Sequence, residues 1–263
     1  SLAYFSRAPP LLRGKAGVRR VRDRSALSVG KRRRISRMNT GGQALRIWHG
    51  QAGSSAWNMA ADELLLQHAA ALGQAVLRFY SWDQPSASFG YFQRYADVKA
   101  LTGLRPLIRR PTGGGVVLHD EAEWTHSLTF PPAHPAWQLK AAESYRCVHE
   151  RVRHAFEVCG VATELCPETR ATGPGQCFVG AEKCDLLFNG QKIAGAAQRR
   201  NRDGLLIQGS VQAKPTGIDR EAWEIAMLAE SDWSEWQPGG SFIDESTSLA
   251  RRKYAADVHN QKR

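Results

Sequence analysis

The stretch RRPTGGGVVLHD, residues 109–120, sets three consecutive glycines between an arginine pair and a His-Asp pair. Leu107 to Arg110 and Gly115 to Leu118 have the apolar, β-branched character of short strands, so the glycines read as a strand-turn-strand loop. Lacking Cβ atoms, such a loop lets a ligand lie against the backbone and can turn successive N–H groups toward a carboxylate or phosphate oxygen. It has the form of an anion cradle. Arg109 and Arg110 stand at its mouth, and the alternation of a strand sends only one of them to the ligand side.

Outward from the loop, short strands bounded by turn residues are expected at Leu45 to Trp48, Ala75 to Tyr80, Ser86 to Tyr91 and His126 to Phe130, and Pro131-Pro132 ends that run. Further strands are expected at Ala162 to Leu165, Cys184 to Phe188, Lys192 to Gln198 and Gly204 to Val211. Asn189-Gly190 is a hairpin signal between two of these. In WNMAADELLLQHAAAL, Met59, Leu64, Leu65, Leu66 and Leu72 make a helical stripe stopped by Gly73. Tyr145, Val148, Val152, Phe156 and Cys159 space a second helix from about Ala141 to Cys159, with Gly160 as its stop. A third helix should start after Asp219. The segment after Asp232 has too weak a periodicity to place. Strand-rich blocks interrupted by two long helices predict an α+β domain, a mixed sheet with helices packed on it.

The net charge of +11 is confined to one end. Residues 1 to 37 hold twelve of the 36 Lys and Arg and one of the 25 acids, which leaves 24 of each in the remainder. The part expected to fold is therefore neutral, and no nucleic-acid partner is expected for it. The basic stretch, residues 1–40, is set apart as a disordered arm. It reads as a transit peptide, a nucleic-acid arm, or translated sequence upstream of the true start; with Met38 the first methionine, the last reading is preferred. Residues 41–263 are taken as one domain. No run of eighteen apolar residues occurs, so no membrane span is expected. Five cysteines without a CxxC pair argue against a disulfide framework or a zinc site, and a reducing cytoplasm is the expected compartment.

Two more stretches carry chemistry. In NGQKIAGAAQRR, residues 189–200, a lysine after a tight turn is followed by Ala194, Gly195, Ala196 and Ala197, a strand that something can approach closely. Lys192 would be a fixed positive charge over that groove. In GPGQCF, residues 173–178, Cys177 sits in a loop where a nearby lysine would favour the nucleophilic thiolate. Cys147 and Cys159 fall on the apolar face of a helix, and Cys166 and Cys184 read as structural.

WNMAADELLL, SFGYFQ, IRRPTGGGVVLHD, CFVGAEKCDLLFNGQKIAGAAQRR and LLIQGSV, in this order over about residues 45 to 212, closely resemble the biotin/lipoate protein ligase superfamily, in its lipoate ligase and octanoyltransferase branch. The resemblance implies that superfamily's catalytic-domain fold. It implies an acyl pocket involving Arg110, Gly113, Gly114, Gly115, Val116 and His119, with Gly195 and Ala196 on the small-residue strand, and matches the family's essential lysine to Lys192. Cys177-Phe178, fifteen residues before Lys192, is similar to the cysteine dipeptide of the transferases. This implies octanoyl transfer from acyl carrier protein, through a Cys177 thioester, to a lysine of lipoyl domains of 2-oxoacid dehydrogenases or the glycine cleavage H protein, without a cofactor or metal. Gly115 looks ligase-like, so the alternative is a lipoate ligase that uses ATP and Mg²⁺. Trp124 and His126 stand where the family has smaller or tyrosine residues, which implies a reshaped pocket.

Overall fold

The computed structural model describes residues 44–170, 180–229 and 231–262. The expected arm, residues 1–40, and Cys177 lie outside them. The described chain runs through β1 (Leu45–Gly53), α1 (Ser55–Leu72), β2 (Val76–Trp82), β3 (Ser86–Phe89), α2 (Tyr95–Leu101), β4 (Leu107–Arg109), β5 (Val117–His119), β6 (Trp124–Phe130), α3 (Pro135–Gln138) and α4 (Ala141–Val158). It continues with β7 (Glu164–Leu165), β8 (Leu186–Phe188), β9 (Gln191–Asn201), β10 (Gly204–Val211), α5 (Arg220–Met227), β11 (Trp233–Glu235), α6 (Gly240–Leu249), a π-helical turn (Ala250–Tyr254) and α7 (Asp257–Asn260).

Eight strands form one mixed sheet in the order β11-β1-β2-β6-β10-β9-β8-β7, and β4-β3-β5 make a second, small sheet. β1 runs parallel to β2 and β11, whereas β2, β6, β10, β9 and β8 pair antiparallel in succession. This is the α+β arrangement expected from the pattern of elements. Local signals account for the joints. Ser54 Oγ accepts the Trp57 N–H at 3.2 Å to start α1, and Gly73, at φ +67°, stops it. Asp219 caps α5 by accepting the Ala222 N–H at 2.8 Å. Asn189 and Gly190, at φ +50° and +77°, supply the two left-handed positions of the β8–β9 hairpin.

One face of the main sheet buries Leu128, Phe130, Leu205 and Ile207 against Val148, Val152, Phe156 and Trp223 of α4 and α5. Each such side chain taken out of water contributes roughly 1.5–3 kcal/mol. The other face packs on α1, where Leu64 and Leu65 meet Tyr80, Phe242 and Tyr254. Of the expected apolar stripe of α1, Met59, Leu64, Leu65 and Leu66 are buried and Leu72 is half-buried, but Asn58, Asp62 and Glu63 are buried as well. Of these, Glu63 holds the tail: Lys253 Nζ and Tyr254 Oη donate to it at 2.7 Å, and Trp233–Glu235 adds a strand beside β1. No described helix is long and apolar enough to cross a membrane.

Candidate active site

Strand alternation at β4 sends the two arginines in opposite directions. Arg109 is fully buried and turned to the tail: its N–H donates to Asn260 Oδ1 at 2.8 Å and its guanidinium to the Asn260 carbonyl at 3.0 Å. Arg110 turns to the glycine loop. Its guanidinium holds the carbonyls of Gly113 and Gly115, at 2.5 and 2.8 Å through Nη2, and reaches Ser88 Oγ at 3.3 Å. Gly114 has φ +86°, and a Cβ there would sit 2.8 Å from that guanidinium. The loop closes on Gly90 of SFGYFQ, where a Cβ would fall 1.9 Å from the Gly114 carbonyl oxygen. Two separate glycine motifs are thus one contact.

Between the two sheets lies a narrow cleft, mainly apolar in lining. Of the residues expected to bind substrate, Arg110, His119, Gly195 and Ala196 line it, together with Ala197. Gly114 borders it, since a Cβ there would be 3.6 Å from that of Ala197. Val116 instead packs among Ala87, Phe89, Val98 and Leu107, and its neighbour Val117 faces the cleft. The reshaping expected from Trp124 and His126 is corrected in the same way. Both project to the opposite face of the sheet, Trp124 against Phe156 and Trp223 and His126 over Gly209, while Thr125 between them lines the cleft. Burial pushes the His126 imidazole down to about 3.

Lys192 stands at one end of this cleft. Its side chain is 4% exposed and its Nζ lies 2.7 Å from Asp185 Oδ2. Asp185 also accepts from Tyr145 Oη at 2.5 Å and from the Glu182 N–H at 2.6 Å, and Tyr145 Oη in turn accepts the Ala196 N–H at 3.2 Å. Gly195 makes room for this arrangement: a Cβ there would lie 2.8 Å from Lys192 Cε and 2.9 Å from Nζ. The fixed charge expected of Lys192 is thus held in place by a buried carboxyl group, that of Asp185. His149 packs at a tilt against the Tyr145 ring and is held neutral, with a pKa of about 4, by burial in the first place. Lys192 also lines a second, open basin, with Asp120, Glu123, Arg170, Gly180 and Lys214 among the described residues, and Glu123 borders both this basin and the cleft. Arg170 and Ala181 pair as a β-bridge across the segment that contains Cys177. Burial raises the thiols of Cys147, Cys159 and Cys184.

An apolar slot with a pinned lysine at its mouth and a glycine loop along its wall suits an acyl chain ending in a carbonyl, and residues 54–219, which build every part of it, match the lipoyl protein ligase A/B catalytic domain. The chain belongs to that family. It is 34% identical over 219 residues to an octanoyltransferase, LipM, of Kyrpidia tusciae, covering 79% of this chain and 78% of that protein. With LipM of Geobacillus kaustophilus it shares 36% over 170 residues, 59% of this chain and 60% of the relative. Among solved structures, protein Ta0514 of T. acidophilum with bound lipoic acid superposes with a TM-score of 0.69 at 19% identity, over 84% of this chain and all of that one. Lipoate-protein ligase A bound with ATP does so at 0.66 and 19%, over 83% and 98%. At that identity the structures speak for the fold.

Other residues around the cleft were not evident from sequence. Glu123 pairs with His119 Nδ1 at 2.6 Å and receives the Ser210 hydroxyl, and His119 Nε2 lies 2.8 Å from Ser88 Oγ. Trp82 stacks on the His119 ring at 3.8 Å. Asp62, fully buried at the other end of the cleft, accepts from Arg78, Tyr80, Ser127 and Gln208 at 2.7 to 3.0 Å. Its signal in WNMAADELLL is an acid on a helix position otherwise given to the core.

Proposed function

We propose that this protein transfers an octanoyl group to a lysine of lipoyl domains, such as those of 2-oxoacid dehydrogenases or the glycine cleavage H protein, taking it from acyl carrier protein through a thioester on Cys177. The observation that carries the reading is the Lys192–Asp185 pair fixed over Gly195 at the end of an apolar cleft, in a chain whose relatives are named octanoyltransferases. In the first step the Cys177 thiolate attacks the donor thioester, a new C–S bond forms, and the carrier's thiol leaves and takes up a proton. In the second, a neutral lysine amine attacks, the amide C–N bond forms, and Cys177 is expelled as thiolate while the amine gives up a proton. Lys192, held rigid by Asp185, orients the carbonyl oxygen and stabilises its charge in both steps. The acyl chain lies in the cleft, where each buried methylene contributes about 0.8 kcal/mol.

Thioester exchange needs no ATP, and on this reading the reaction requires neither nucleotide nor Mg²⁺. Two observations support Cys177 as the nucleophile: the residues bordering its segment, Arg170 and Gly180, line the same basin as Lys192, and three of the four described cysteines have thiols raised by burial. The test is intact mass spectrometry after incubation with octanoyl-acyl carrier protein in the absence of ATP. An octanoyl adduct on the wild type and none on Cys177→Ala is the expected result. No adduct, with lipoyl-domain modification appearing only on addition of lipoate, ATP and Mg²⁺, would make the protein a lipoate ligase.

A further inference from the structure

We infer that Gln208 is the end stop of the cleft and sets the length of acyl chain that enters it; this rests on the octanoyl-transfer reading of the same site. The pairs Gly195↔Ser210 and Ala197↔Gln208 lie on one face of β9 and β10, two residues apart, which is about 7 Å along the strands. Lys192 Nζ lies against Gly195 and marks the carbonyl end. An extended eight-carbon chain, with seven C–C bonds of about 1.5 Å in a zigzag, spans roughly 9 Å. A chain of that length with its carbonyl at Lys192 brings its methyl group to Gln208.

The stop is rigid because its amide is engaged at both ends. Nε2 donates to Asp62 Oδ2 at 2.7 Å and contacts Met59 Sδ at 3.4 Å, and Oε1 accepts from Thr112 Oγ1 at 2.7 Å. Behind it is Asp62, with no exposed surface and three further donors. Gln208 cannot swing aside without removing one of the hydrogen bonds to a buried carboxyl group, a loss of roughly tenfold or more in affinity. A methylene pushed past it would meet the Asp62 oxygens rather than apolar surface, and so would not gain the roughly fourfold that burial of a CH₂ normally brings.

The experiment is equilibrium binding of free hexanoate, octanoate, decanoate and dodecanoate to the intact protein, followed by turnover with the matching acyl-carrier-protein thioesters. Wild type, Gln208→Ala and Thr112→Val are compared; the last frees the glutamine carbonyl without altering the cleft lining, and serves if Gln208→Ala does not fold. The wild type should bind octanoate at least about tenfold more tightly than decanoate, and either variant should narrow that ratio to about threefold or invert it. Equal binding of the two acids by the wild type, or an unchanged ratio in the folded variants, overturns the stop. A chain-length preference abolished by Gln208→Ala, in a protein that transfers no acyl group to lipoyl domains, supports the stop and refutes the transfer reaction. Transfer with the same length profile in every variant refutes the stop alone.

Discussion

Replacing Gly195 by alanine should separate the chemistry of this protein from its stability. The added Cβ would stand 2.8 Å from Lys192 Cε, 2.9 Å from Nζ and 3.2 Å from Asp185 Oδ1. Ordinary carbon contacts begin at about 3.5 Å, so these atoms must retreat by roughly 0.3 to 0.7 Å. The lysine end is the flexible member and moves, because Gly195 itself is locked into β9 by its pairing with Ser210. Loss or lengthening of the 2.7 Å contact to Asp185 costs roughly 1.5–3 kcal/mol. For a domain of this size that lowers Tm by about 3 to 12 °C, with a single cooperative transition retained. The rate is affected more: misplacing a catalytic group by about 1 Å can cost on the order of 100-fold. Thermal melts and single-turnover octanoyl transfer to a lipoyl domain are the assays, with octanoate binding measured in parallel. We expect kcat to fall about 100-fold while octanoate binding changes less than about threefold. A folded Gly195→Ala protein with kcat within fivefold of wild type would refute the role given to Lys192 and to the space kept for it.

Two further predictions concern stability. His126 and His149 are buried and neutral, with pKa values of about 3 and about 4 against 6.5 in the unfolded chain. Because the unfolded chain binds protons that the fold excludes, their contribution is complete above pH 6.5 and is lost as pH falls toward 4, at roughly 1.4 kcal/mol per pH unit for each. Urea midpoints at pH 7, 5.5 and 4.5 should fall accordingly and His149→Gln should flatten the slope; a midpoint constant over this range contradicts the assignment. Asn260→Ala removes the acceptor of the Arg109 N–H and the donor to the Tyr254 carbonyl. It should cost roughly 2–3 kcal/mol and speed hydrogen exchange at Arg109, and unchanged exchange there would show that the tail does not brace β4.

The elements with strong local signals were legible in the chain. Gly73, Asn189-Gly190 and Asp219 each mark a boundary through chemistry that acts within four residues, and the structure has a cap or turn at each. The tail after Asp232 was not legible. It is held by Glu63 with Lys253 and Tyr254, and by Arg109 with Asn260, pairs about 150 to 190 residues apart that no periodicity signals. The same limit applies to the polar end of the cleft. Asp62 reads as a helix acid until Arg78, Tyr80, Ser127 and Gln208 converge on it from three strands.

By itself the sequence determined which residue types were available for a site: glycines where backbone must meet backbone or ligand, a lysine on a strand of small residues, and the alternation that divides Arg109 from Arg110. Those are properties of one residue and its immediate neighbours, set by sterics and by the period of a strand. Only the tertiary structure decided that Gly90 closes on Gly114, that Lys192 is fixed by Asp185 over Gly195, and that Trp124 and His126 face the core while Thr125 faces the cleft. Each of these depends on which strands become neighbours and in what register. That choice is made by burying apolar surface over the whole domain, and it leaves no mark on any one stretch of the chain.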